Sequence, residues 1–235
     1  MLKNIGKYIF MIELGYKYIR IFKKTFFHPF ITLKPAYEEL SLQRQNYSKQ
    51  VLEFLNIKTK IVGKIPKENK ILYVINHRSL LDIIVMEAIF STESKNGAWI
   101  AKQALFDAKI SGKFFEYSGC ISVDLDNKRG LLTFFKSIKK TLAKVDNMNI
   151  YMFPEGERFS GEGLTNFQTG AAKIAKANKL TIIPVFITGK NEEIFKNAPF
   201  SDQHEIEVHF GSEIQSASLE EEYISFYKSI GKNNG

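Results

Sequence analysis

The sequence predicts an α/β fold with a mostly parallel central sheet flanked by helices, preceded by an N-terminal amphipathic helical segment. Three observations carry this. Short apolar runs at 71–75, 149–153 and 181–188 have the composition of buried strands. They alternate with stretches of helical periodicity, as expected for βαβ units. The first 30 residues stand apart, with Ile5, Tyr8, Ile9, Ile12, Tyr16, Ile19 and Phe22 at helical spacing among mostly basic charges.

In chain order, the N-terminal helix is expected to break over 25–35, where Pro29 and Pro35 fall. A second helix follows over 38–55 and a strand over 58–62. The strand at 71–75 leads to a helix at 80–90 and a strand at 98–101. A helical stretch lies near Leu105, and a strand at 120–123 precedes a helix at 129–145. The strand at 149–153 leads to a helix at 170–177. The strand at 181–188 is expected to be interrupted by Pro184, and a strand at 205–210 and a helix at 219–230 close the chain. The implied division is a helical segment over 1–57 and an α/β domain over 58–235.

The N-terminal segment has one acid, Glu13, against Lys3, Lys7, Lys17, Arg20, Lys23 and Lys24. Such a helix either lies in the head-group layer of a membrane or packs on the rest of the chain, and the one-signed charge favours the membrane. Its apolar run is too interrupted by charge for an ordinary spanning helix, and it lacks the pattern of a secretory signal.

The chain of 235 residues is 44% hydrophobic and 25% charged, ordinary globular values, with a net charge of +8 that favours polyanionic partners. Cys120 is the single cysteine, which excludes an intrachain disulfide and a thiolate zinc cluster. The four histidines (His28, His77, His204 and His209) form no metal-ligand pattern. No Gly-x-Ser-x-Gly elbow marks a lipase, and no zinc finger or Walker sequence marks a nucleic-acid or nucleotide binder.

Two loops carry the chemistry. Asn76-His77-Arg78-Ser79-Leu80-Leu81-Asp82 follows the strand at 71–75 and opens a helix, with Ser79 expected as its N-cap. Ligands of open α/β sheets bind beyond the carboxyl ends of strands, which is where His77 falls. Neutral imidazole accepts a proton near pH 7, and a carboxylate on its other nitrogen fixes the tautomer. With no protein nucleophile in the pattern, the substrate's own hydroxyl would serve, and His77 would be its base. Taken alone, the spacing also suits a histidine beside a helix-start aspartate. Phe153-Pro154-Glu155-Gly156-Glu157-Arg158 follows the strand at 149–153. Its glycine turn presents Glu155 and Arg158 at the same sheet edge, and an arginine there suits a phosphate.

Together these loops resemble the glycerolipid acyltransferase family, whose best-known members are the bacterial 1-acyl-glycerol-3-phosphate acyltransferases. Asn76, His77, Ser79 and Asp82 match its Asn-His-x-Ser-x-x-Asp block. The run 153–158 matches Phe-Pro-Glu-Gly-Thr-Arg except at Glu157, and Ile183-Pro184-Val185 matches its late proline strand. Lys102 is similar to the family's lysine before its second helix. Leu125 departs: it stands where the family carries an arginine linked to the acceptor's phosphate, with Lys128 and Arg129 nearby as substitutes.

The resemblance implies His77 and Asp82 as the catalytic pair. It implies Glu155, Gly156, Arg158 and Lys102 as substrate-binding residues. The reaction would move a fatty acyl group from acyl-CoA or acyl-carrier protein to 1-acyl-glycerol-3-phosphate, giving phosphatidic acid. No metal or organic cofactor is implied. The partners would be an anionic membrane surface, the lysophospholipid acceptor and the acyl donor, with no nucleic acid. The location would be the cytoplasmic face of the inner membrane. Three other readings remain: the same chemistry on another lysolipid such as lyso-ornithine lipid, a thioesterase, and a non-catalytic basic binding protein.

Overall fold

The computed structural model describes residues 2–109, 111–124, 128–161 and 163–232. Two long helices come first, α1 (Leu2–Phe26) and α2 (Leu33–Leu55). Next are β1 (Ile57–Val62), β2 (Ile71–Ile75), α3 (Leu81–Phe90), β3 (Gly97–Lys102), α4 (Gln103–Phe106), α5 (Gly112–Tyr117) and β4 (Ile121–Val123). The remainder comprises α6 (Lys128–Lys144), β5 (Asn149–Met152), α7 (Gly170–Asn178), β6 (Thr181–Ile187), α8 (Asn191–Asn197), β7 (His204–Phe210) and α9 (Leu219–Lys232).

Among the described residues the strands form one seven-stranded sheet in the order β1-β7-β6-β2-β5-β3-β4. Every pairing is parallel except β6 with β7. The expected α/β architecture with a mostly parallel sheet is therefore present. The central strand β2 is buried along its whole length. Its residues alternate between two cores, as the two-residue period of a strand requires. Ile71, Tyr73 and Ile75 face the core built with α1, α2 and α3, while Leu72 and Val74 face that built with α6, α7 and α9. Burying side chains of this size contributes about 1.5–3 kcal/mol each.

Pro184 does not interrupt its strand. It pairs in register with Val74, and its carbonyl accepts from Gly211 N at 2.9 Å. The β6–β7 ladder begins one residue later, at Val185, so the missing donor lies where that pairing ends. Pro35 also departs from expectation. It sits in the first turn of α2, where a backbone N–H has no intrahelical partner, so the break contracts to the few residues before Leu33. α2 ends on Asn56 in the left-handed conformation, and β1 follows at once. The chain changes character at this point, although α1 and α2 share their core with the sheet.

α1 has two apolar faces. Leu14, Tyr18 and Phe22 are buried in the core with α2. Phe10 stacks on Phe54 at 3.9 Å, and Tyr18 meets Tyr47 edge-on. Phe22 therefore leaves the expected outer stripe. Lys7, expected in the basic flank, is also inside, only 1% exposed. Ile5, Tyr8, Ile9, Ile12 and Tyr16 form the second face and remain exposed, Ile12 at 71%. A buried ion pair, Arg44 Nε to Glu87 Oε1 at 2.6 Å, ties α2 to α3, and Trp99 Nε1 donates to the same oxygen at 2.8 Å.

Candidate active site

The parallel neighbours β2 and β5 both end at the same sheet edge, and the two loops of interest leave from there. Asn76 continues the ladder beyond β2 with its side chain: Nδ2 donates to Ile187 O at 3.0 Å and Oδ1 accepts from Ile187 N at 2.7 Å. The chain then turns. His77 N donates to Glu155 Oε1 at 2.9 Å, and His77 O accepts from Phe159 N at 2.9 Å. The 76–79 loop and the turn after β5 are thus bonded to each other.

The imidazole of His77 lies flat on Phe153, with ring centroids 3.7 Å apart and planes 7° apart. Its Nδ1 meets Asp82 Oδ2 at 2.9 Å. An ionised carboxylate only accepts, so Nδ1 carries the proton and Nε2 keeps its lone pair. The His77 side chain is 12% exposed, while that of Asp82 is fully buried. Asp82 Oδ2 also accepts from Arg78 N at 2.6 Å and Ser79 N at 2.8 Å, and Oδ1 accepts from Asn191 Nδ2 at 2.8 Å. Four donors surround one carboxylate, a setting that fixes its orientation.

Ser79 is not the N-cap; Leu80 holds that position and α3 starts at Leu81. Ser79 Oγ accepts from Leu81 N at 3.2 Å and donates to Glu192 Oε2 at 3.1 Å. Its hydroxyl is buried and engaged. Arg78 braces the second loop, with its guanidinium donating to the carbonyls of Phe159 at 2.9 Å, Gly161 at 2.8 Å and Gly163.

Glu155 stands inside the protein rather than in an open pocket. Its carboxylate takes the backbone N–H groups of His77 and Thr165. Burial pushes its carboxyl above the ordinary carboxylate value, opposed by those two backbone donors. Gly156 follows with φ +75, and a Cβ there would meet Gln168 Cγ at 3.1 Å. Only glycine adopts that turn without strain. Arg158 is exposed, with no hydrogen bond or ion pair among the described residues. Lys102 is exposed at the carboxyl end of β3, separated from β2 by β5. The structure thus joins His77, Asp82 and Glu155 by hydrogen bonds, and Arg158 and Lys102 are cations with no hydrogen bond or ion pair among the described residues. Leu125 lies outside the described residues.

Three contributors were not read from the sequence. Phe153 supplies the stacking face for His77 and is itself stacked on Trp99. Asn191 and Glu192, on α8, hold Asp82 and Ser79 from the far side. The family motif already contained Phe153; a seven-residue helix left no periodic signal for the other two.

The model of the family described as Acyltransferase matches residues 56–188, more than half of the chain and all of the site except Asn191 and Glu192. The chain belongs to the Acyltransferase family. The 1-acyl-sn-glycerol-3-phosphate acyltransferase of Helicobacter pylori is 36% identical over 129 residues, covering 54% of this chain and 52% of the relative. The enzyme of the same name from Cocos nucifera is 27% identical over 167 residues, covering 71% of this chain and 53% of the relative. The matched stretch thus spans about half the length of these curated relatives. The fold matches the crystal structure of the 1-acyl-sn-glycerophosphate (LPA) acyltransferase, PlsC, from Thermotoga maritima. That match has a TM-score of 0.67 at 21% identity and covers 100% of this chain and 97% of the other. Within this acyltransferase fold, the one lone pair that the His77 ring keeps is on Nε2, where a hydroxyl proton could be taken.

Proposed function

We propose that this acyltransferase esterifies the sn-2 hydroxyl of 1-acyl-glycerol-3-phosphate with a fatty acyl group from a thioester donor, acyl-CoA or acyl-carrier protein, giving phosphatidic acid. The observation that carries the reading is the His77–Asp82 pair at the carboxyl edge of β2 within the span that the family model matches. The names of the curated relatives supply the substrate class.

The steps follow from the tautomer. His77 Nε2 takes the proton of the acceptor hydroxyl as its oxygen attacks the thioester carbonyl. Asp82 stabilises the imidazolium that forms. The carbon–sulfur bond then breaks, and the imidazolium returns its proton to the leaving thiolate. A thioester is already activated, so the reading calls for no cofactor. Ser79 is not the nucleophile in this scheme, because its hydroxyl is buried between Leu81 N and Glu192. Arg158, exposed in the turn after β5, and Lys102, exposed at the carboxyl end of β3, serve the acceptor's phosphate. Glu155 and Gly156 shape the turn that carries Arg158.

Both lipids reside in a bilayer, and α1 is the proposed contact with it. No described helix is long and apolar enough to cross a membrane. The exposed stripe from Ile5 to Tyr16 continues to Phe26, Phe27 and Phe30, the last 89% exposed. Exposed Lys17, Arg20, Lys23 and Lys24 flank it. Apolar surface of this extent, edged with basic residues, suits an anionic leaflet. The proposed location is the cytoplasmic face of the inner membrane, with residues 1–57 as the associating segment.

The same chemistry on another lysolipid is a second reading, carried by Leu125 in place of the family arginine. One assay separates the alternatives: purified protein with labelled acyl-CoA or acyl-carrier protein and 1-acyl-glycerol-3-phosphate, with a His77→Ala control. Labelled phosphatidic acid, absent in the control, is the expected result. Label only on a different lysolipid transfers the reading to that acceptor. His77-dependent thioester cleavage without an acylated product overturns it in favour of a thioesterase.

A further inference from the structure

The His77–Asp82 pair has a third member that the sequence places more than a hundred residues away. Asn191 opens α8, is fully buried, and donates Nδ2 to Asp82 Oδ1 at 2.8 Å. The other carboxylate oxygen is held by the 76–79 loop itself through Arg78 N, Ser79 N and the imidazole. Among the described residues, Asn191 is therefore the one side chain from outside that loop that fixes the carboxylate plane. A carboxylate held only on one oxygen can still rotate about its Cβ–Cγ bond. Held on both, it aims a fixed lone pair at Nδ1.

α8 is built to keep Asn191 in place. At its first turn, Glu192 Oε2 accepts from Ser79 Oγ at 3.1 Å, so two adjacent residues grip the 76–82 segment. At its last turn, Lys7 Nζ from α1 donates to Phe195 O at 2.8 Å and Lys196 O at 3.1 Å. These are carbonyls that a helix end leaves unpaired, and a cation there also complements the helix dipole. Burial lowers the Lys7 pKa, so inserting this lysine has a cost, and only a partner such as these carbonyls offsets it. The left-handed Gly189, φ +91, turns the chain from β6 into α8 with Ile194 3.3 Å from where its Cβ would be.

We propose that Asn191 is a positioning residue of the reaction: it orients the Asp82 carboxylate and thereby fixes the tautomer and direction of His77, on a helix that Lys7 ties to α1. The inference rests on the acyltransferase reading for its kinetic consequence, and its structural consequence is measurable without turnover.

The test uses the full chain with 15N-labelled histidines, in detergent. Two-bond nitrogen–proton correlations report the tautomer of each neutral imidazole, and the His77 signals are those lost in His77→Gln. The variants are Asn191→Leu, which keeps volume and removes the donor, and Asn191→Ser, which restores a hydroxyl donor. The expected result is a single His77 tautomer in the wild type, protonated at Nδ1. In Asn191→Leu it becomes a mixture of tautomers in a chain that still unfolds cooperatively. The kcat of the leucine variant falls about 10- to 100-fold with KM within about twofold, the signature of misaimed chemistry rather than weaker binding. Asn191→Ser recovers at least part of both signals. An unchanged His77 tautomer in the leucine variant overturns the inference, as does equal loss in the leucine and serine variants. A wild type that transfers no acyl group, while its His77 tautomer still responds to Asn191→Leu, sinks the functional reading and leaves the positioning role standing.

Discussion

His77 Nδ1 and Asp82 Oδ2 lie 2.9 Å apart although the two residues are five positions apart in the chain. On one continuous helix, five residues would place them on different faces. Contact is possible because His77 stands in the loop after β2 and Asp82 in the first turn of α3, so that the 76–79 segment folds back over the helix start. The same carboxylate gathers the N–H groups of Arg78 and Ser79, which would otherwise be unpaired near a helix N-terminus.

Removing either member disables the pair in a different way. His77→Ala lowers kcat/KM for acyl transfer by about 10²-fold or more, the usual contribution of a general base. Asp82→Asn does the same with a different cause, since an amide leaves the imidazole free to take the wrong tautomer. Asp82→Asn also destabilises the protein, because an amide presents donors to a site lined with donors. Steady-state kinetics and thermal unfolding of both variants check this, and wild-type kinetics in either would refute the assignment.

Glu155 acts through the backbone of His77. Glu155→Ala leaves the part-buried N–H groups of His77 and Thr165 unpaired, at up to about 1–3 kcal/mol each if water does not replace the carboxylate. Glu155→Gln keeps one acceptor oxygen and is expected to retain more activity and a higher Tm than the alanine variant. If the alanine variant loses acceptor affinity alone, with an unchanged Tm, Glu155 contacts substrate instead.

The two faces of α1 predict opposite phenotypes from neighbouring residues. Ile12→Glu charges the exposed stripe; binding to vesicles containing anionic lipid falls about 10-fold or more, while Tm changes little. Leu14→Asp puts a carboxylate into the core with α2 and costs about 3 kcal/mol or more of stability. Vesicle sedimentation and chemical denaturation separate the two. Unaltered vesicle binding by Ile12→Glu would remove the membrane role of the stripe.

His209 gives the fold a pH dependence away from the site. It is buried on β7, and burial holds its imidazole below the ordinary 6.5, against the opposing pull of Glu207. As pH falls through 6.5 the unfolded chain therefore binds a proton before the folded chain does, and the folded state loses stability until its own histidine protonates. The fall in Tm between about pH 7 and 5.5 is expected to be smaller in His209→Asn than in the wild type. Parallel curves for the two proteins would refute this origin.

Much of the fold was legible because it rests on local signals. β2 and β5 read as buried strands from their apolar runs, and α6 reads as a helix from its period. The residues of the 76–82 and 153–158 loops were all visible in the sequence, since each loop is contiguous. Pro35 misled because a breaker inside a helix is an ordinary residue in its first turn, and the sequence alone did not fix where that turn began. Pro184 misled because the pairing partner of its backbone, Gly211, lies far along the chain.

What the sequence by itself determined is the set of chemical groups and their local frame: a histidine and an aspartate at a strand-to-helix loop, a glycine turn after a second strand, and a basic apolar helix at the start. Tertiary structure alone decided which groups meet. Lys7 reads as one more charge on a basic flank, yet it caps α8. Asn191 falls between two expected strands and carries no motif, yet it holds Asp82. Glu155 reads as a residue facing substrate, yet it faces the backbone of His77. Each of these depends on contacts between segments far apart in sequence, whose pairing is set by the shared burial of the sheet, and such contacts leave no period or spacing in the chain itself.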